Sequence, residues 1–204
     1  YCVGLAEFFK KAFVKMGGKI VAESFCQGGD QDFSAQLSTI LAAKPDVLFI
    51  PNYYTEDALI ARQAKELGLN VPIFGSDGAQ TPELIQIGGS AVEGMHFIGH
   101  FHTQGAATPL AKEFIKNFAK KFPKEKDITA FHALGADAYF VLLDAMERAK
   151  SVEGEKVRLA LTQTRKFPAV SGVMDLGTDG NAVKPAVILT VKNGAFVYLT
   201  TLKD

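Results

Sequence analysis

A surplus of charge is the first thing missing. Lys+Arg and Asp+Glu number 22 each, so the formal net charge is zero. Binding to nucleic acid or to an anionic membrane surface needs a basic excess on one face, so neither partner is expected. No apolar run approaches the roughly 20 residues of a membrane-spanning helix. A leader is missing as well. The chain opens Tyr1-Cys2-Val3-Gly4-Leu5, with no basic region and no initiator methionine, and processing or further chain before Tyr1 is expected. Phosphate and nucleophile motifs are absent. Gly28-Gly29 is not a dinucleotide fingerprint, there is no P-loop, and there is no Gly-x-Ser-x-Gly elbow. No cofactor is therefore expected. Internal repeats and low-complexity segments are also lacking. Cysteine is scarce, with only Cys2 and Cys26. In a βαβ layout both lie at one edge of the sheet. A bridge between them would need Cα atoms within ~7 Å, and two unrelated thiols is the other reading.

What is present is an ordinary globular composition, 48% hydrophobic and 22% charged over 204 residues. That length can bury a core of one domain or one and a half. Leu5, Phe8, Phe9, Ala12, Phe13 and Met16 recur at three- and four-residue spacing and predict a helix over about 3–16, stopped by Gly17-Gly18. A strand is predicted over 19–25, then a helix from Ser34 to before Pro45 and a buried strand over 46–50. A helix over about 55–67, a strand over 71–74, a short helix after Thr81-Pro82 and a strand over 94–100 complete the alternation. This rhythm is α/β, a doubly wound parallel sheet. It then changes. Three helices follow without intervening strands, over about 110–122, 128–150 and 153–162. The first carries a Leu110, Phe114, Phe118, Phe122 stripe opposite Lys112, Lys116 and Lys120. The end is β: a short strand over 173–176, then two strands around Asn193-Gly194, a type I′ hairpin signal.

Two segments carry the chemistry. Pro51-Asn52-Tyr53-Tyr54-Thr55-Glu56-Asp57 and Phe74-Gly75-Ser76-Asp77-Gly78 each close an apolar strand. In an open α/β sheet, successive strand ends line one crevice where ligands bind. A carboxylate at Asp77 and a ring at Tyr53 suit a small cation such as an ammonium group. Against this stand a helix-capping Asp77 and a packed core Tyr53. Tyr54 alternates to the other side and reads as structural. His96, His100 and His102 would share one face of a regular strand and could hold zinc, but no Asp, Glu or Cys completes a set. The turn Asp175–Gly180 lacks the oxygen ligands of a calcium loop. No metal is expected.

The chain resembles the periplasmic leucine/isoleucine/valine-binding proteins and their receptor relatives, the type I periplasmic binding fold. The markers run in order along it: Tyr1…Gly4-Leu5, Gly29-Asp30…Asp32-Phe33-Ser34, Lys44-Pro45-Asp46-Val47, Tyr53-Tyr54…Ala61-Arg62-Gln63-Ala64…Leu67-Gly68, Gly75-Ser76-Asp77-Gly78…Pro82-Glu83-Leu84, Glu93-Gly94 and Lys184-Pro185…Lys192-Asn193-Gly194. The resemblance implies two α/β lobes closing on a ligand. Residues 1–102 and 183–204 would belong to the second lobe, and the helical segment and crossover 103–182 to the first. It implies that Asp77, Tyr53, Tyr1 and Phe131 meet a small, aliphatic amino acid, with Phe131 at its aliphatic end. The implied role is delivery to a membrane ABC permease from the periplasm, by lobe closure and without catalysis. A fragment lacking most of the N-terminal lobe is implied, with weak ligand binding alone and a tendency to self-associate. The alternatives are a sensor domain of the same fold for amides, urea or aromatic acids, a Rossmann-like hydrolase using Asp77, and a scaffold module that takes no small ligand.

Overall fold

The computed structural model describes residues 1–125 and 127–202. The chain divides into two compact units, residues 1–98 with 189–197, and residues 99–188 with 198–204.

In the first unit, helix α1 (Cys2–Lys15) opens with Tyr1 at its N-cap, whose carbonyl accepts the Leu5 N–H at 3.0 Å. Helix α2 (Ser34–Ala42) leads to strand β1 (Leu48–Ile50), and helix α3 (Tyr54–Glu66) leads to β2 (Ile73–Gly75). Helix α4 (Pro82–Gly88) carries proline in its first turn and precedes β3 (His96–Gly99). The three strands are parallel neighbours, with Leu48 opposite Ile73, Ile50 opposite Gly75 and Phe74 opposite His96. Leu48, Ile50 and Phe97 are buried, as are Ala58, Ile60, Ala61 and Ala64 of α3, Leu84 of α4, and Val92 and Met95. This is the expected α/β arrangement, with each crossover helix covering the sheet it connects.

The segment 19–25 departs from expectation. Its residues alternate between half-buried and exposed, as a strand's do, but no backbone among the described residues forms a ladder with it. Period-two patterning reports which faces are buried, whereas a strand also needs a neighbour. Helix α1 has no buried residue despite its apolar spacing. Phe9 stacks on Phe49 at 4.1 Å between ring centroids, while Phe8 remains 74% exposed.

In the second unit, helices α5 (Pro109–Lys121), α6 (Ala130–Ala149) and α7 (Gly154–Thr162) match the expected helical run. A small antiparallel sheet follows, β4 (Phe167–Ala169), β5 (Gly172–Leu176) and β6 (Ala182–Val183). Sequence patterning had suggested only its middle strand, because the outer two are too short to show alternation. Phe101, Ala111, Ala130, Ala133 and Val170 form the buried centre, with Phe114 and Phe140 packed against it. Thr108 links helix to sheet. Its Oγ1 accepts the Ala111 N–H at 3.0 Å and donates to the Ala169 carbonyl at 2.7 Å. Asp137, on α6 and almost fully buried, accepts the backbone N–H groups of Val170 and Ser171.

Strands β7 (Ala186–Lys192) and β8 (Ala195–Leu202) close the chain and extend the order to β1-β2-β3-β7-β8. Asn193 and Gly194 both take positive φ, 53° and 68°, as a type I′ turn requires. Glu93 accepts both of their N–H groups. The Gly94 N–H donates to the Val191 carbonyl and the Val191 N–H to the Met95 carbonyl, so two residues oppose one. Gly94, at φ 79°, permits this bulge.

Replacing Asp137 strands two buried backbone donors. Asp137→Ala is expected to cost on the order of 3 kcal/mol, read as a lowered urea midpoint.

Candidate ligand-binding site

The loops after β1 and β2 meet at the carboxyl ends of neighbouring parallel strands. Gly78 marks the approach. A Cβ there would lie 2.7 Å from the Asn52 carbonyl oxygen and 3.2 Å from both the Tyr1 hydroxyl and the Tyr53 ring. Glycine is required because backbone and rings already fill that space. Asp77, Gly78 and Ala79 form one 3-10 turn that projects from the strand end.

Tyr1 joins the pieces. Its hydroxyl donates to Asp77 Oδ1 at 2.6 Å, accepts the Gly78 N–H at 3.0 Å, and lies 3.0 Å from Ser76 Oγ. Burial first, and then the bond to the Asp77 carboxylate, push the Tyr1 phenol well above its usual range, so it is a donor at any physiological pH. Its ring stacks on Tyr53, with centroids 5.1 Å apart and planes 30° apart. Both rings stay about half exposed, Tyr1 at 52% and Tyr53 at 49%. A buried Ser76 beneath them also bonds the Asn52 carbonyl at 3.4 Å. Ser76 thus pairs with a tyrosine and a backbone carbonyl.

A second layer fixes these loops. Glu56 accepts the Gly29 N–H at 2.8 Å. Gln63 accepts the Phe33 N–H and donates to the Gln31 carbonyl, both at 2.7 Å. Cys26 Sγ lies 3.9 Å from Asn52 Oδ1. Burial, followed by the nearby charges of Asp30, Cys2, Glu56 and Asp57, raises the Cys26 thiol above its ordinary range. Both cysteines are free thiols, so the bridge considered above is not formed.

Of the residues expected from sequence, Asp77, Tyr53 and Tyr1 come together here. Phe131 belongs to the second unit, in the first turn of α6, with 49% of its surface exposed. Asn52, Asp57 and the Gly78 N–H were not singled out. Their signal was present for Asp57, which falls at the helical spacing of the buried Ala58, Ala61 and Ala64. The histidines do not share a strand face, since β3 stops at Gly99. Among the described residues no group of His, Cys, Asp and Glu could hold a metal ion.

A family profile described as periplasmic binding protein matches residues 1–195. The chain belongs to the periplasmic binding protein family. Its fold is similar to that of a leucine-binding protein from Thermotoga maritima, at a TM-score of 0.93 and 44% identity, covering 99% of this chain and 57% of that one. It is also similar to a branched-chain amino acid transporter substrate-binding protein from Streptococcus pneumoniae, solved in complex with isoleucine. There the TM-score is 0.81 and the identity 29%, over 98% of this chain and 56% of that one. Among curated relatives, a Leu/Ile/Val-binding protein from Rhizobium johnstonii is 32% identical over 89% of this chain and 48% of its own length. The chain spans about half the length of the curated relatives it matches.

The close approach at Gly78 generates a test. Gly78→Ala forces the Asn52 carbonyl, Tyr1 and Tyr53 apart and is expected to cost about 1–3 kcal/mol. The near-ultraviolet circular dichroism of the tyrosines should weaken in the same variant.

Proposed function

We propose that this chain binds a small aliphatic amino acid at the strand-end site and does not transform it. Asp77 accepts the ligand ammonium, and the exposed faces of Tyr53 and Tyr1 flank the cation and the start of the side chain. The observation that carries this reading is the junction of one carboxylate with two stacked, half-exposed tyrosine rings at neighbouring strand ends. The relatives whose names specify leucine, isoleucine and valine support the ligand class.

The ligand's carboxylate needs donors of its own. The Gly78 N–H is already engaged by Tyr1. We place the carboxylate-binding groups in the remainder of a longer polypeptide, consistent with the share of the relatives that the chain spans. The isolated chain then binds weakly, and the exposed apolar residues of α1, Val3, Phe8 and Val14 among them, favour its self-association. In the cell the role is capture outside the cytoplasm and delivery to an ATP-driven permease.

Calorimetric titration with leucine, isoleucine and valine tests the reading. Asp77→Asn removes a charge-assisted bond and should weaken binding by about 10–100-fold. Tyr53→Ala should weaken it as well. Branched-chain amino acid binding that survives both substitutions unchanged would contradict the assignment.

A further inference from the structure

Beneath the site lies a carboxyl group that the binding scheme does not use. Asp57, in the first turn of α3, is fully buried, and neither of its oxygens makes a complete hydrogen bond. The nearest donors are the backbone N–H and side-chain amide of Asn52, which approach it without full hydrogen-bond geometry. On the sheet side it faces apolar neighbours. Asp57 Oδ2 lies 3.5 Å from where a Gly75 Cβ would stand, and Met95 and Phe97 press on the same point. Buried polar groups are nearly always paired, so an unpaired carboxyl needs an explanation.

Among the described residues, the titratable groups that act on it are Glu56, its neighbour on α3, and the Cys26 thiol, neither of them a cation, while Gly75 of β2, Met95 before β3 and Phe97 of β3 lie on its sheet side. An ionised Asp57 would therefore be a dry, uncompensated charge. The dipole at the start of α3 and the Asn52 donors favour ionisation, but desolvation outweighs them and raises the carboxyl well above its ordinary range.

Asn52 is what makes this consequential. Its side chain contacts Cys26, its carbonyl accepts from Ser76, and that same carbonyl is the atom against which Gly78 packs. We propose that Asp57 is a positioning residue that stays in place as a neutral acid packed under the loop after β1, and that its ionisation, by drawing water to a dry carboxylate, loosens Asn52 and with it the Tyr53–Gly78 site. The consequence for ligand rests on the binding reading above; the acid's protonation does not.

The sign of the pH effect follows. The folded chain keeps the Asp57 proton where the unfolded chain has released it, so the native state binds more protons. Stability then falls as pH rises above the usual aspartate value of about 4, and goes on falling until the folded-state carboxyl itself ionises. One proton limits the slope to about tenfold in the folding constant per pH unit.

Urea unfolding of the 204-residue chain and of its Asp57→Asn variant across pH 4 to 8 tests this, alongside a carbon-13 carboxyl titration of the unsubstituted chain. The expected result is a downward slope in the unsubstituted chain that Asp57→Asn lacks, and a carboxyl that titrates well above the usual aspartate value. The tyrosine near-ultraviolet signal should decline with pH only while Asp57 is present. Parallel pH profiles, or an Asp57 carboxyl that titrates near about 4, would overturn the proposal. The carboxyl titration decides alone if the variant does not fold. None of these readings uses a ligand, so their failure is separable from a failure of the Asp77 assignment.

Discussion

The space above Gly78 is occupied by the Asn52 carbonyl, the Tyr1 hydroxyl and the Tyr53 ring. Every feature of the site follows from how closely these approach. Parallel pairing of β1 with β2 brings the two loops side by side. The absence of a side chain at 78 lets them touch. The Gly78 N–H can then reach the Tyr1 hydroxyl, which is thereby aimed at Asp77. Tyr1 is fixed in turn as the N-cap of α1 and by stacking on Tyr53. A carboxylate and two ring faces arrive at one place with little freedom to move, the preorganisation on which the proposed capture of a small cation rests.

The same crowding shapes what lies below. Asn52 serves the site with its carbonyl and the buried layer with its amide, so Cys26, Asp57 and Ser76 all report to one residue. Ser76 pairs with the Tyr1 phenol and the Asn52 carbonyl, so it too is tied to the two loops.

Much of this was legible in the sequence. The strand–helix alternation from residue 34 to 100, the Asn193-Gly194 turn and the placement of Tyr53 and Asp77 just beyond neighbouring strand ends were all readable, because each rests on local spacing or on a residue with a narrow conformational use. Contacts set by tertiary packing were not. The edges of the β4–β6 sheet are two and three residues long, too short for a period to appear. The stretch 19–25 shows that an alternating pattern can be right about burial while no ladder forms. Asp57 was hidden for a related reason. Its inward placement among buried alanines comes from the packing of α3 and not from its residue type.

The most direct test of the account is an amide NMR titration of the chain with isoleucine, with assignments for both units. The account predicts that Tyr53, Gly78 and their neighbours in the two strand-end loops shift first and furthest, and that the shifts vanish in Asp77→Asn. Shifts that begin elsewhere, for example among Ser90, Glu93 and Asn70 at the opposite ends of these strands, would contradict it.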